Sequence, residues 1–236
     1  MARGVKRIFA KWCVPSLFVI VATAVSLVGV EEVCNSYMLV EEPVVDPYAR
    51  YEQEEYEISP YDNLFRTIAA EYKLDWRLMS AMANAESRFE RDVVSRSGAV
   101  GLMQIMPFVA SAYGYEREEL FNPEINVRVA AELVRSVYSM LRLPRDMEHD
   151  DRLAFMLACY NAGYSRVADA RDLAEYYGDD ADRWEVVKDY LPLLADPEFY
   201  ENEVVESGCF TGSRETIGYV RKVMRRYEQY CRRVAI

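Results

Sequence analysis

The sequence predicts an all-α fold, a compact helical domain that follows an N-terminal apolar segment and an acidic linker. Three observations carry this. From Tyr61 onward, apolar residues recur at three- and four-residue steps, the spacing that lines one face of a helix. No stretch alternates apolar and polar residues for long enough to make a strand. With 236 residues, 51% of them hydrophobic, the chain can bury a full core in one domain and still leave a tail.

The first segment is residues 1–30. It holds Arg3, Lys6, Arg7 and Lys11, no acidic residue, and a 19-residue apolar run from Trp12 to Val30 that meets Glu31 and Glu32. This reads as an export signal or membrane anchor. The run reaches the ~18 residues of a membrane span and exceeds the ~7–15 of a signal core. The charge bias holds the N-terminus in the cytoplasm and sends the remainder across the membrane. Ala22-Thr23-Ala24 offers a cleavage site, but cutting there leaves apolar residues at the new terminus, which favours a retained anchor. Cys34 follows Glu31, Glu32 and Val33, unlike the small-residue context of a lipidated cysteine.

Residues 31–60 are rich in Glu and Tyr, carry Pro43, Pro47 and Pro60, and show no sustained apolar period. They read as a linker, with Glu52, Glu54, Glu55 and Glu57 as a solvated, self-repelling tether. Residues 61–236 make the folded domain. Leu64, Phe65, Ile68, Ala69 and Tyr72 mark a first helix, and Asp75 caps a second that runs through Glu86. Leu102 to Met106 read as a helical run that stops near Pro107. Pro123 opens a longer helix with Ile125, Val129, Leu133, Val137 and Leu141 on one face, and Leu153, Met156, Leu157 and Tyr160 mark the next.

The formal net charge is -11, and residues 1–30 contribute +4, so the remainder carries 24 basic against 39 acidic residues. Such a surface argues against nucleic acid as a partner, because backbone phosphates require clustered Lys and Arg. His149, the single histidine, leaves no Ser-His-Asp or Cys-His site and no histidine-ligated zinc. No glycine-rich phosphate loop is present. Asp179, Asp180 and Asp182 lack the Gly and terminal Glu of a calcium loop, so neither metal nor cofactor is assigned.

Carboxylate chemistry remains, and Glu86 is its candidate. Met79 and Met82 precede it by seven and four residues and Phe89 follows by three, so a helix here sets one carboxylate on an apolar stripe. Desolvation raises such a pKa and leaves a proton to donate near neutral pH. The plainer alternative is a helix-ending glutamate turned to water. Ser95, Ser97, Gly98 and Gly101 then form a polar, turn-prone stretch, and Gln104 follows among methionines. Together they suggest an apolar cleft with few polar groups, suited to neutral, hydroxyl-rich ligands.

Elsewhere Asn161 and Gly163 read as helix-stop residues, with Tyr160 as a half-buried aromatic that anchors the end. The aromatics between Arg171 and Glu206 read as a satellite core. Cys159 reads as core. Cys209 and Cys231 flank a helix whose ends are separated by ~22 Å, which opposes pairing.

The ESRF of Glu86 to Phe89, the SRSGAVGLMQIMP that ends at Pro107, the YNAG of Tyr160 to Gly163 and the ETIGYV of Glu215 to Val220 resemble, in order, the motifs of lytic transglycosylases with a goose-lysozyme-like SLT domain. The resemblance spans roughly Tyr61 to Tyr230. Within that family, the segment after YNAG is most like the catalytic domain of the membrane-bound lytic murein transglycosylase F branch. Two departures are visible: Ala85 stands where many relatives have Gln, and the chain is too short for the solute-binding-like domain that precedes catalysis in that branch.

The resemblance implies a lysozyme-like helical fold, with Glu86 as the catalytic residue and Tyr160 beside it. It implies that Asn161 shapes the sugar site, Gln104 and Met106 line the glycan groove, Ser95 lies near the reacting sugar, and Glu215 and Tyr219 close the far side. The implied reaction breaks the MurNAc–GlcNAc β-1,4 bond of peptidoglycan without water and without a cofactor. Glycoside cleavage normally uses two carboxylates. Here the motifs supply one, since Glu90 and Asp92 read as surface, and one suffices if the substrate supplies the nucleophile. The expected location is the cell envelope, periplasmic, with the apolar segment as anchor or export signal. Two alternatives stay open at this point, a hydrolytic muramidase and a non-catalytic peptidoglycan-binding envelope protein.

Overall fold

The computed structural model describes residues 57–234. The apolar segment and residues 31–56 of the linker lie outside the described residues. Among the described residues, no helix is long and apolar enough to cross a membrane.

The chain enters at a tight knot. The Asp62 carboxylate accepts from the backbone N–H of Glu57, Ile58 and Ser59 at 2.8–2.9 Å and so fixes the approach to α1 (Asp62–Tyr72). This helix buries Leu64, Phe65, Ile68 and Ala69. Asp75 then caps α2 (Trp76–Glu86), its side chain accepting from Arg77 N–H as the sequence predicts. Met79 and Met82 of α2 are fully buried, each contributing about 2 kcal/mol of hydrophobic free energy.

Between α2 and α3 (Pro107–Ala112) lies the main correction to the sequence reading. Leu102 to Met106 do not form a helix. Val100 bridges to both Val94 and Ile105, and Gly101 and Gln104 adopt left-handed φ of 79° and 49°, so the segment is a folded loop. Pro107 opens a helix and does not close one, consistent with its preference for the first helical turn. Phe89 also departs from expectation. It lies beyond the end of α2 at φ 67°, and its ring packs edge-on against Phe65.

A short 3-10 turn (Arg117–Phe121) leads to α4 (Pro123–Leu141), capped by Asn122 and opened by Pro123. Helix α5 (His149–Ala162) is buried from Leu153 to Cys159 and forms the centre of the core. Helices α4, α6 (Tyr164–Tyr176) and α9 (Ser213–Arg233) pack around it. Two short helices, α7 (Trp184–Val187) and α8 (Pro197–Tyr200), carry Trp184, Phe199 and Tyr200 of the satellite aromatics. Trp184 meets Phe155 edge to face at 5.8 Å, and Tyr177 stacks on Tyr190.

Helix α9 returns the chain to α2. At one end, Tyr227 donates to Asp75 at 2.8 Å and the Arg77 guanidinium donates to the Val234 carbonyl at 3.0 Å. At the other end, Lys222 Nζ donates to the Ala85 carbonyl at 2.7 Å. The two helices therefore run antiparallel, with the C-terminal end of α2 beside the first half of α9.

Candidate active site

Glu86 is the last residue of α2 and is half-buried. Burial pushes its pKa up to about 7; Tyr219 and Lys222 act in the opposite direction, and Glu215 adds to the rise. All three are on α9 at positions 215, 219 and 222, the spacing of a single helix face. Tyr219 is buried, and its hydroxyl faces the Glu86 carboxyl without closing a hydrogen bond of ordinary length and angle. Glu215 is exposed. From α5, Tyr160 stands close enough that the charge of Glu86 raises the pKa of its hydroxyl, in addition to the larger effect of burial. The carboxyl thus sits between two aromatic hydroxyls, with one cation at its edge.

The loop after Glu86 is held by side chains from four places. The carbonyls of residues 100 to 103 are taken in turn. Asn126 Nδ2 of α4 donates to Val100 at 2.9 Å, Gln104 Nε2 to Gly101 at 2.9 Å, Ser87 Oγ to Leu102 at 2.8 Å, and Tyr160 Oη to Met103 at 2.8 Å. Asn126 also accepts from Met103 N–H at 2.8 Å and donates to the Leu120 carbonyl at 2.9 Å. Unpaired buried carbonyls would cost about 1–3 kcal/mol each, so this lacing holds the loop in one shape. Gly101 is required there. A Cβ on it would lie 2.4 Å from Asn126 Nδ2 and 2.7 Å from the Leu120 carbonyl oxygen.

Among the sequence candidates, Glu86, Tyr160, Tyr219 and Glu215 come together. Asn161 joins them indirectly, since its Oδ1 accepts from Thr216 Oγ1 at 2.9 Å and so ties the end of α5 to the start of α9. Gln104 and Met106 are half-buried on the loop. Both amide hydrogens of Gln104 are used on the Gly101 and Val93 carbonyls, so its bonds within the protein come from Nε2. Ser95 is half-buried at the loop's other end, where its Oγ accepts from Ala99 N–H and pairs with Ser97 Oγ, both at 2.9 Å.

Sequence reasoning missed Lys222, Asn126 and Ser87. Lys222 was readable, because it follows Tyr219 by three and Glu215 by seven. Asn126 gave no signal beyond being an amide between Ile125 and Val127. A separate cavity of about 690 Å³ opens on the opposite side of α9, lined by Trp184, Ile217 and Met224 among others, and it contains none of the residues around Glu86. Among the described residues, no group of three or more His, Cys, Asp and Glu side chains is placed to hold a metal.

The chain has relatives among known proteins. The family model of the Transglycosylase SLT domain matches residues 63–182. The membrane-bound lytic murein transglycosylase F of Marinobacter nauticus is 36% identical over 168 residues, 71% of this chain and 32% of that protein. That of Maricaulis maris is 36% identical over 163 residues, covering 69% and 34%. The chain therefore spans about a third of the length of these curated relatives. In the solved 70 kDa soluble lytic transglycosylase of Escherichia coli, 24% of the chain matches 73% of this one, with a TM-score of 0.52 and 24% sequence identity. The shared fold is helical and lysozyme-like, as expected from the motifs. With helices, motif order and family model in agreement, the chain belongs to the SLT transglycosylase domain family.

Proposed function

We propose that this chain is a peptidoglycan lytic transglycosylase that cleaves the MurNAc–GlcNAc β-1,4 bond and leaves a 1,6-anhydro-MurNAc end. The observation that carries the reading is Glu86, a carboxyl whose pKa burial pushes up to about 7, beside two aromatic hydroxyls in a domain of this family. A group at that pKa is protonated often enough to act as an acid and ionised often enough to act as a base.

Glu86 first donates its proton to the glycosidic oxygen as the bond to the muramyl C1 breaks. The acetamido group of the same ring stabilises the positive centre. The Glu86 carboxylate then removes the proton from the C6 hydroxyl, whose oxygen bonds to C1. The proton count balances, and no water enters. Tyr219 orients the carboxylate through both steps, and Tyr160 holds the loop that forms the floor of the groove. The Gln104 and Met106 side chains line the groove, Ser95 lies near the reacting sugar, and Asn161 and Glu215 shape its far side. Residues 1–30 place the domain in the periplasm, where its substrate is.

The test is mass spectrometry of muropeptides released from purified sacculi by residues 31–236. Anhydro products that disappear with Glu86→Gln are the expected result. Products heavier by one water would make the protein a muramidase. Release that is equally strong with Glu86→Gln would remove Glu86 from the chemistry, and tight binding without release would make the chain a wall-binding module.

A further inference from the structure

Charge is segregated in this chain. Helix α9 carries seven basic residues and two acidic ones, while all other residues together carry 21 basic and 37 acidic. An anionic polymer is repelled by the surface in general and drawn toward α9.

One end of that helix reaches the site. Lys222 is fixed beside Glu86 by its bond to the Ala85 carbonyl, which uses one of three donors and leaves two. Arg226 follows by four residues, one turn further on the same face, with its guanidinium 5.9 Å from the Tyr230 ring. From α2's side comes Arg88, two residues beyond Glu86, exposed and held at φ 57°. Among the described residues, no acidic side chain forms an ion pair with any of the three. The Lys222 ammonium is held below its ordinary pKa by burial and by Arg88 and Arg226, while Glu86 acts in the opposite direction. Lys222 is therefore repelled by both arginines, and an anion placed among the three relieves that repulsion.

We propose that Arg88, Lys222 and Arg226 form an anion subsite at the edge of the groove, which takes a carboxylate carried on the lactyl arm of the muramyl ring next to Glu86. This rests on the reading of the substrate as peptidoglycan. The carboxylate has two possible sources, the lactyl group itself in a peptide-free strand or the peptide attached to it. Either distinguishes a muramyl strand from neutral chitin, whose rings carry no such arm. Two guanidinium forks suit a carboxylate, and Lys222 is pre-ordered, so less side-chain freedom is lost on binding.

The test uses protein with Glu86→Gln, so that ligands stay intact, and calorimetric titration with three glycans of equal length. These are a neutral chitooligosaccharide, a peptide-free muramyl glycan and a peptide-bearing one. The muramyl glycans are expected to bind on the order of tenfold more tightly than chitin at low salt, as three partly exposed charge contacts imply. That preference should shrink in high salt and collapse toward one when Arg88→Gln and Arg226→Gln are added. Tighter binding of the peptide-bearing glycan assigns the peptide carboxylates, tighter binding of the peptide-free glycan assigns the lactyl carboxylate, which the peptide bond consumes, and equal binding means that the subsite takes either. A ratio near one in the parent, a ratio that survives the double variant, or binding of no glycan overturns the subsite. Failure of the proposed reaction shows separately, as missing anhydro products when Glu86 is intact.

Discussion

The Tyr160 hydroxyl donates to the Met103 carbonyl at 2.8 Å, which joins the end of the central helix to the loop that follows Glu86. The bond makes Tyr160 a structural residue as well as a neighbour of Glu86. Tyr160→Phe keeps the ring and leaves that carbonyl unpaired. A loss of about 1–3 kcal/mol is expected, a drop in Tm of several degrees for a domain of this size. Thermal unfolding checks it. An unchanged Tm would mean that water replaces the bond.

The raised pKa of Glu86 has a stability consequence whose sign is fixed. Unfolded, the group titrates near its ordinary value of 4.5; folded, burial pushes it up to about 7. Between those values the folded state holds a proton that the unfolded state releases, so stability falls as pH rises through that window. Glu86→Gln removes the ionisation. The variant should be more stable than the parent at pH 8, by up to about 3 kcal/mol, with the gap closing below pH 4. Denaturant titrations at the two pH values test this, and a gap that is constant with pH would contradict the assignment. In the parent, the acid role also requires cleavage to decline above about pH 7.

How much of this was legible depends on the interactions involved. The helices at 62–72, 76–86 and 123–141 were readable because their apolar spacing, Asp75 and Pro123 act locally. The residues from Leu102 to Met106 read as helix in the sequence but form a loop. Its conformation depends on Asn126, Ser87 and Tyr160, which are distant in sequence and lace its carbonyls from outside. Glu86 was found through the apolar residues that precede it. The cation at its edge was not sought, because a lysine on an otherwise basic helix looks like surface.

Gly101 gives a contrast within the same loop. Its φ of 79° already strains any other residue, and an added Cβ meets Asn126 and the Leu120 carbonyl at distances no carbon tolerates. Gly98, at φ 90°, has nothing within 4 Å of the same atom. Gly98→Ala should therefore cost only the conformational term, about 1–2 kcal/mol. Gly101→Ala should cost more than about 3 kcal/mol, because overpacking adds to that term, and it should lower activity by shifting the loop. Equal losses in the two variants would mean that the Asn126 clamp yields at little cost.

Asp75 makes the opposite prediction to Glu86 in its pH dependence. Burial works against its charge, but hydrogen bonds from Arg77 and Tyr227 outweigh burial and hold its pKa below the usual carboxylate range. Its stabilisation is present above the unfolded value of 3.8 and is lost as pH falls through the lower folded one. The same carboxylate caps α2, pairs with Arg77 at 2.6 Å and receives Tyr227 of α9, so it fixes the register between the two helices that build the site. Asp75→Ala removes the cap and leaves the buried Arg77 without its charge partner. A loss of about 3–5 kcal/mol at pH 7 is expected, the range for breaking a buried ion pair from one side. Asp75→Asn keeps the capping oxygen and should recover part of it. Because Lys222 and Tyr219 ride on the same helix, the Asp75→Ala variant should also lose activity before it unfolds. Residual activity that tracks only the folded fraction would show that the register is held by packing alone.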